Sequence, residues 1–191
     1  MEKFTNFTKI KEQEGNKSYD VLWHNDHLQV INVEGWSAVS EKDMVVIIPF
    51  LQEYNQIIMR LEPVPPYRLK KPEFDKFLTI VSESIEPGET PEAAVRRGLK
   101  EELGFGLKED FEIEISKPLF VSKGNTNSYY CCILHLMEHD YTEFAPTKDG
   151  SIEEDAANNI KIDLKYINTL MTQDVITAYM VELLKNKLDL K

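Results

Sequence analysis

Short apolar runs, rather than long helical periods, dominate the first half of the chain. Between Tyr19 and Val33, two apolar stretches flank Asn25-Asp26, a pair that favours a hairpin turn. The continuous apolar run from Met44 to Phe50 predicts a strand that is buried on both faces. The segment from Asn55 to Leu61 follows after a short turn and is predicted to be its hairpin partner.

Further strands and one closing helix are predicted later in the chain. The segment 63–72 is rich in proline and lysine and predicts a loop, and a long acidic loop is expected from Tyr141 to Asn158. An amphipathic helix is predicted from Gln173 to Leu188. The remaining short strands are predicted at Phe77–Val81, Phe111–Ile115, Ser128–Met137 and Ile160–Ile162. This order of elements favours an α/β (α+β) sandwich with a mixed sheet.

One internal helix has clear start and stop signals. Thr90 is a good N-cap, Pro91 suits the first helical position, and Gly104 suits a left-handed C-cap. On this helix, Glu101 and Glu102 offer neighbouring carboxylates beside the turn at 87–88. Such oxygen ligands suit Mg²⁺, although an ordinary solvated glutamate pair has the same pattern.

Composition restricts the classes of function. A chain of 191 residues with 42% hydrophobic residues fits one domain, and its net charge of −11 disfavours nucleic-acid binding. A phosphorylated small molecule is still compatible, because a divalent ion lets carboxylates and phosphates share a site. Cys131 and Cys132 are adjacent in an apolar run and are expected to be small buried residues. Without a membrane-spanning run or a signal-peptide start, the expected location is cytoplasmic.

The stretch ESIEPGETPEAAVRRGLKEELGF resembles the Nudix box, whose pattern is Gly, five residues, Glu, seven residues, then Arg-Glu-apolar-any-Glu-Glu-any-Gly-apolar. The residues in register are Glu89, Arg97, Leu99, Glu101, Glu102, Gly104 and Phe105. The resemblance implies a Nudix-type α/β/α sandwich that uses Mg²⁺ or Mn²⁺ to hydrolyse a nucleoside diphosphate derivative, with Glu101 and Glu102 as catalytic residues.

Two positions depart from that pattern. Glu83 stands where the family has its first glycine, and Gly98 stands where the family has a metal-binding glutamate. We hypothesise that Glu83 supplies the carboxylate that position 98 lacks, so that the expected metal ligands are Glu102, Glu101, Glu83 and Ser82. Alternatively, Glu83 is an exposed strand end and the site is impaired.

The rest of the chain resembles the ADP-ribose and ADP-sugar pyrophosphatases of this family. In that branch an acidic loop before the last strand carries the base that activates water, so Glu153, Glu154 and Asp155 are candidates here, unless that loop has no function. Arg60, Arg68 and Lys123 are candidates for phosphate contact, with simple solvation as the alternative. Aromatic residues are candidates for base stacking or for core packing: Trp23, Trp36, Phe120 and Tyr129.

The resemblance also suggests a division of the chain. Residues 1–42 are expected to form an N-terminal strand region that pairs subunits in a homodimer, and residues 43–191 are expected to form the Nudix domain. The predicted function is a metal-dependent pyrophosphohydrolase of ADP-ribose or ADP-sugar-like molecules. The alternative is a catalytically impaired domain that binds a nucleotide or a protein partner.

Overall fold

The computed structural model describes residues 10–14, 17–147 and 156–190. The strands are β1 (Ile10–Glu14), β2 (Lys17–His24), β3 (Gln29–Val33), β4 (Trp36–Ser40), β5 (Met44–Leu51), β6 (Gln56–Glu62), β7 (Phe77–Thr79), β8 (Val81–Ser84), β9 (Phe105–Leu107), β10 (Tyr129–Leu136), β11 (Tyr141–Glu143) and β12 (Asn158–Asp163). The α-helices are α1 (Pro65–Arg68), α2 (Pro91–Gly98) and α3 (Val175–Lys187).

A mixed sheet forms the centre of the molecule, in the order β10-β5-β6-β12. Strand β10 is parallel to β5, whereas the other pairs in this sheet are antiparallel. Strands β5 and β6 pair directly only near their turn, at Phe50 and Leu51, and then diverge. The bent segment β7-β8 fills the gap between them, because β7 pairs with β6 and β8 pairs with β5. This divergence of β5 and β6, called the fork below, places β8 next to the internal helix.

Apolar cores cover both faces of the central sheet. One contains Val45 and Ile47 of β5 together with Val95 and Leu99, which α2 and the following turn contribute. The other contains Val46 and Ile48 of the same strand together with residues of α3. Alternate residues of β5 thus serve opposite cores, as expected for a strand that is buried on both faces.

The internal helix begins and ends at the predicted residues. The Thr90 side chain accepts a hydrogen bond from the Ala93 backbone N–H, and Pro91 occupies the first helical turn. After Gly98 the helix widens into a π-helical turn, Leu99–Leu103, which ends at Gly104 with a φ of 72°. π-Helical turns are often found at functional sites. Here the turn carries both candidate glutamates.

Most predicted elements are confirmed, with local exceptions. The predicted strand Phe111–Ile115 is wrong, since only Ile115 forms an isolated bridge, with Cys132. The predicted loop at 63–72 contains the short helix α1, and the predicted acidic loop begins with β11, which pairs with β9. Cys131 and Cys132 are buried and free, as predicted.

The strands of the N-terminal region, β1 to β4, form an antiparallel sheet of their own. Backbone hydrogen bonds join Val39 of β4 to Gly124 and Thr126 in the loop before β10. None of the described helices is both long and apolar enough to cross a lipid bilayer.

Candidate active site

A polar cleft of about 560 Å³ lies where β8, the turn after it and the internal helix meet. Its lining residues are Lys42, Ser82, Glu83, Ser84, Glu86, Arg97, Glu101 and Glu102. The cleft therefore brings together the four residues that were predicted as metal ligands. Glu83 of β8 is paired with Val45 of β5, whose side chain packs in the core next to α2, so the Glu83 side chain also points toward α2.

Glu83 and Gly98 face each other across the contact between β8 and α2. A Cβ atom added at Gly98 would lie 2.8 Å from the Glu83 Cβ and 3.0 Å from its Cγ. Real Cβ atoms do not approach so closely, so the glycine makes room for the Glu83 side chain. The Glu83 side chain therefore occupies the space that a side chain at position 98 would need.

Arg97 is the cation at the centre of the cleft. It forms ion pairs with Glu83 at 3.0 Å, with Glu89 at 2.9 Å and with Glu101 at 3.2 Å. It also donates a hydrogen bond to the Ser84 backbone carbonyl at 2.6 Å. One guanidinium group therefore holds the strand end, the turn and the helix together.

These contacts shift the pKa values of the group in opposite directions. Burial raises the pKa of Glu83, although the ion pair with Arg97 partly offsets this effect. The hydrogen bond from Arg97 lowers the pKa of Glu89, and the same bond raises the pKa of Arg97. Glu89 is therefore a firmly ionised partner, whereas Glu83 is a carboxylate that the protein interior destabilises.

Glu102 forms an ion pair with a second arginine, Arg60. The side chains of both residues are almost completely buried. Arg60 also donates to Glu62 at 3.0 Å, and the Thr79 hydroxyl donates to the same Glu62 at 2.6 Å. A chain of contacts therefore runs from Glu102 along β6 to Thr79 of β7.

The donor set of the cleft fits a hard divalent ion in kind, because carboxylate and hydroxyl oxygens are the ligands that Mg²⁺ prefers. The arrangement is not that of a ready metal site. Among the described residues, no three Asp, Glu, His or Cys side chains are grouped closely enough to hold an ion. Instead, Arg97 pairs with Glu83 and Glu101, and Arg60 pairs with Glu102. An ion would have to replace these arginines as the partner of the carboxylates.

The other predicted site residues have varied positions. Arg60 is buried at 5% exposure, Arg68 is half-exposed and lies 3.5 Å from Asp75, and Lys123 is exposed in a turn. Neither Arg68 nor Lys123 lines the cleft. Ser82 pairs with Val46, so its side chain projects to the sheet face opposite Glu83. The candidate bases Glu153, Glu154 and Asp155 lie outside the described residues.

In the sequence analysis, Glu89 and Arg97 matched the Nudix pattern, but no function was predicted for them. The structure shows that they form the ionic centre of the site, together with Lys42, which pairs with Glu86 at 2.9 Å. The i,i+4 spacing of Arg97 and Glu101 was the available signal for one of these pairs. The pair between Arg60 and Glu102 had no such signal, because the two residues are far apart in sequence.

Comparison with known proteins gives support at the level of fold. No protein-family model matches the chain, and no curated protein matches it. A solved structure described as an ADP compounds hydrolase has a TM-score of 0.62 and 19% identity, covering 90% of this chain and 91% of that chain. The similarity extends over nearly the whole length of both chains. The fold is therefore a mixed α+β fold of the Nudix type, as predicted.

Proposed function

We propose that this protein is a Nudix-type hydrolase, which cleaves the pyrophosphate bond of a nucleoside diphosphate linked to a second group, such as ADP-ribose or an ADP-sugar. The fold neighbour is an ADP compounds hydrolase, which agrees with this class of substrate. The products would be a nucleoside monophosphate and a phosphorylated form of the second group.

The contact between Glu83 and Gly98 is the observation that carries the proposal. Loss of a carboxylate from position 98 alone would leave Glu101 and Glu102 as the acidic groups of the cleft, apart from Glu86, which is paired with Lys42. Because Glu83 occupies the space next to Gly98, the cleft has four carboxylates, and those of Glu83, Glu101 and Glu102 are not paired with Lys42 as that of Glu86 is. A chain that had merely lost its site would not need a second acidic residue at this contact.

Each residue has a defined part in this proposal. Glu83, Glu101 and Glu102 would hold Mg²⁺ or Mn²⁺, which when bound stabilises negative charge on phosphate oxygens. The Ser82 side chain projects to the other sheet face and is not part of this set. Arg97 fixes Glu83 and Glu101 in the cleft, and Lys42 adds a positive charge at its side. Glu153, Glu154 and Asp155 are proposed as candidates for the base that accepts the proton of the attacking water.

A binding module is the second candidate, and the ion pairs favour it. Every acidic ligand proposed for the metal is paired with an arginine. A nucleotide diphosphate could then be bound without hydrolysis. This reading predicts stabilisation by nucleotides but no turnover.

Turnover of a panel of nucleotides separates the two candidates. The panel contains ADP-ribose, ADP-glucose, NADH and a diadenosine phosphate, each with Mg²⁺, with Mn²⁺ and with chelator. A hydrolase is expected to release phosphorylated products from at least one of them, and chelator or Glu102→Gln should abolish the release. If no compound is cleaved while nucleotides raise the melting temperature, the hydrolase proposal is rejected in favour of the binding module.

A further inference from the structure

A small polar network of three residues adjoins the cleft behind Glu102. Arg60 and Glu62 lie two residues apart on β6, so their side chains project from the same face of the sheet. This is the face of Ile58, which packs in the core next to the internal helix. Thr79 lies opposite Arg60 on β7, so the network is at the fork. None of the three is among the lining residues of the cleft.

Arg60 has two carboxylates as partners. It is ion-paired with Glu102, and its Nε donates to Glu62 at 3.0 Å. Only Glu102 lines the cleft. The Arg60 side chain is 6% exposed, and a buried guanidinium without a charged partner is strongly destabilising. Glu102 can therefore turn from Arg60 to a divalent ion only if Arg60 keeps another anion.

Glu62 is well placed to be that other anion. One of its carboxylate oxygens accepts from Arg60, and the other accepts from the Thr79 hydroxyl at 2.6 Å. Thr79 is itself buried, so this contact fixes the carboxylate against the sheet. When Glu102 takes another partner, Arg60 and Glu62 are left as a neutral pair inside the protein.

Arg97 has the same division of partners. It pairs with Glu83 and Glu101, which belong to the proposed metal ligands, and with Glu89, which does not. Each of the two arginines thus contacts at least one carboxylate of the proposed metal set and one carboxylate outside it. Glu62 has for Arg60 the place that Glu89 has for Arg97.

We propose that Glu62 is a positioning residue that frees Glu102 for a divalent ion, because it retains the Arg60 guanidinium when Glu102 changes partner. The inference rests on the proposed function for the identity of the ion as Mg²⁺ or Mn²⁺. Arg60 is the competitor of that ion for Glu102. Without the charge of Glu62, Arg60 would depend on Glu102 alone, and the competition would be stronger.

Binding of Mn²⁺ alone, without nucleotide, tests this role. Free Mn²⁺ is measured by electron paramagnetic resonance for the wild type, Glu62→Gln, Arg60→Met and the double variant. Glu62→Gln should weaken binding by about tenfold. Arg60→Met should strengthen it by a similar factor of about ten, because the competing cation is gone. The double variant should bind like Arg60→Met, because Glu62 acts only through Arg60.

Glu112→Gln is the matched control, since it removes the same charge at an exposed position and should leave Mn²⁺ affinity unchanged. Melting temperatures without the ion show whether each variant is folded. If Arg60→Met does not fold, Arg60→Gln replaces it, because that change also removes the positive charge. Unchanged Mn²⁺ affinity in Glu62→Gln overturns the proposal without any Arg60 variant.

Two further results would also overturn it. A loss of affinity from Glu62→Gln that is equally large in the Arg60→Met background would show a simple effect of charge. Absence of Mn²⁺ binding in all four proteins would show that Glu102 is never released.

The outcome is separable from that of the nucleotide panel. Chelator-sensitive turnover with no effect of Glu62→Gln on Mn²⁺ binding refutes this role and leaves the proposed function intact. The expected cycle of Mn²⁺ affinities in a protein that cleaves no nucleotide rejects the hydrolase and supports the role of Glu62.

Discussion

Single residues at the cleft are connected mainly through arginines. Arg97 contacts Glu83, Glu89 and Glu101, and its guanidinium is only partly exposed. A carboxylate that is paired in this way stabilises the folded state most when it is ionised. The balance of charge in the site therefore depends on pH through its acidic partners.

Glu89→Gln is expected to lower stability by about 1 kcal/mol at pH 7, since it removes the charge that pairs with Arg97. The folded-state pKa of Glu89 is lowered, so its contribution is present above the unfolded pKa and is lost as the pH falls through the folded one. The difference in melting temperature from wild type should therefore be largest near neutral pH. It should shrink below roughly pH 4.

Glu112→Gln, at an exposed position, is the control for this experiment. It should leave the melting temperature almost unchanged at every pH. A constant difference between Glu89→Gln and wild type down to pH 3 would show that the ionised pair with Arg97 is not what stabilises this turn.

At the residue scale, the sequence predicted which side chains meet but not how they pair. Glu101 and Glu102 were expected as neighbouring ligands, and both line the cleft. It was not expected that Glu101 would pair with Arg97 and Glu102 with Arg60. Local spacing reveals partners along one helix, whereas the partner of Glu102 depends on how β6 lies against the turn.

Strand β8 and helix α2 pack closely against each other at Glu83 and Gly98. The helix offers a glycine at the point of closest approach, and the strand offers Glu83. Gly98 has ordinary right-handed helical angles, so its small size rather than its backbone freedom explains its presence. Packing at this contact can be tested separately from catalysis.

Gly98→Glu alone is expected to destabilise the protein by about 1–3 kcal/mol, because the new side chain overlaps Glu83. The double variant Glu83→Gly with Gly98→Glu removes the overlap and should recover at least about 1 kcal/mol relative to the sum of the single changes. Chemical denaturation of the four proteins in the cycle measures this coupling. Strictly additive single effects would show that the two positions do not exchange space.

At the element scale, strong local signals were reliable. The caps of the internal helix lie at the predicted residues, and the strand predicted at Met44–Phe50 and the helix predicted at Gln173–Leu188 differ from the observed elements by one or two residues at their ends. The segment 111–115 failed because its alternating residues suggest a strand, yet only Ile115 finds a partner. Strand β11 was missed because its partner β9 is a short strand after the helix, which no local pattern indicates.

At the scale of the molecule, the described residues form a central sheet with a core on each face, a two-stranded sheet of β9 and β11, and an N-terminal sheet. Neither core cluster includes a described residue that precedes Val45. The described backbone contacts from Val39 to the loop before β10 join the two parts. The division of the chain near residue 42 stays a prediction.

Deletion of residues 1–40 is therefore expected to leave a cooperatively folding protein. Loss of the two backbone hydrogen bonds of Val39 should cost about 2 kcal/mol, or roughly 4–8 °C in melting temperature. Light scattering of both forms tests the proposed homodimer, because the shortened chain should then be monomeric. A shortened chain without a cooperative transition would contradict the division into two parts.

The fold class followed from the sequence because it depends on patterns that recur throughout the chain. The contact between Glu62 and Thr79 did not, since it joins β6 to β7, whose register no local pattern specifies. The hypothesis that Glu83 supplies the carboxylate missing at position 98 stays a prediction, and the geometry shows that a side chain at that position would overlap Glu83.

The most direct test of the central claim is the rate of metal-dependent hydrolysis by Glu83→Gln on the best substrate of the nucleotide panel. Glutamine keeps the shape of the side chain but removes the negative charge that Glu83 brings to the cleft. We predict that kcat/KM falls by about 100-fold or more, while the fold and its melting temperature are largely retained. A rate equal to that of the wild type would contradict the claim that Glu83 replaces the carboxylate missing at Gly98.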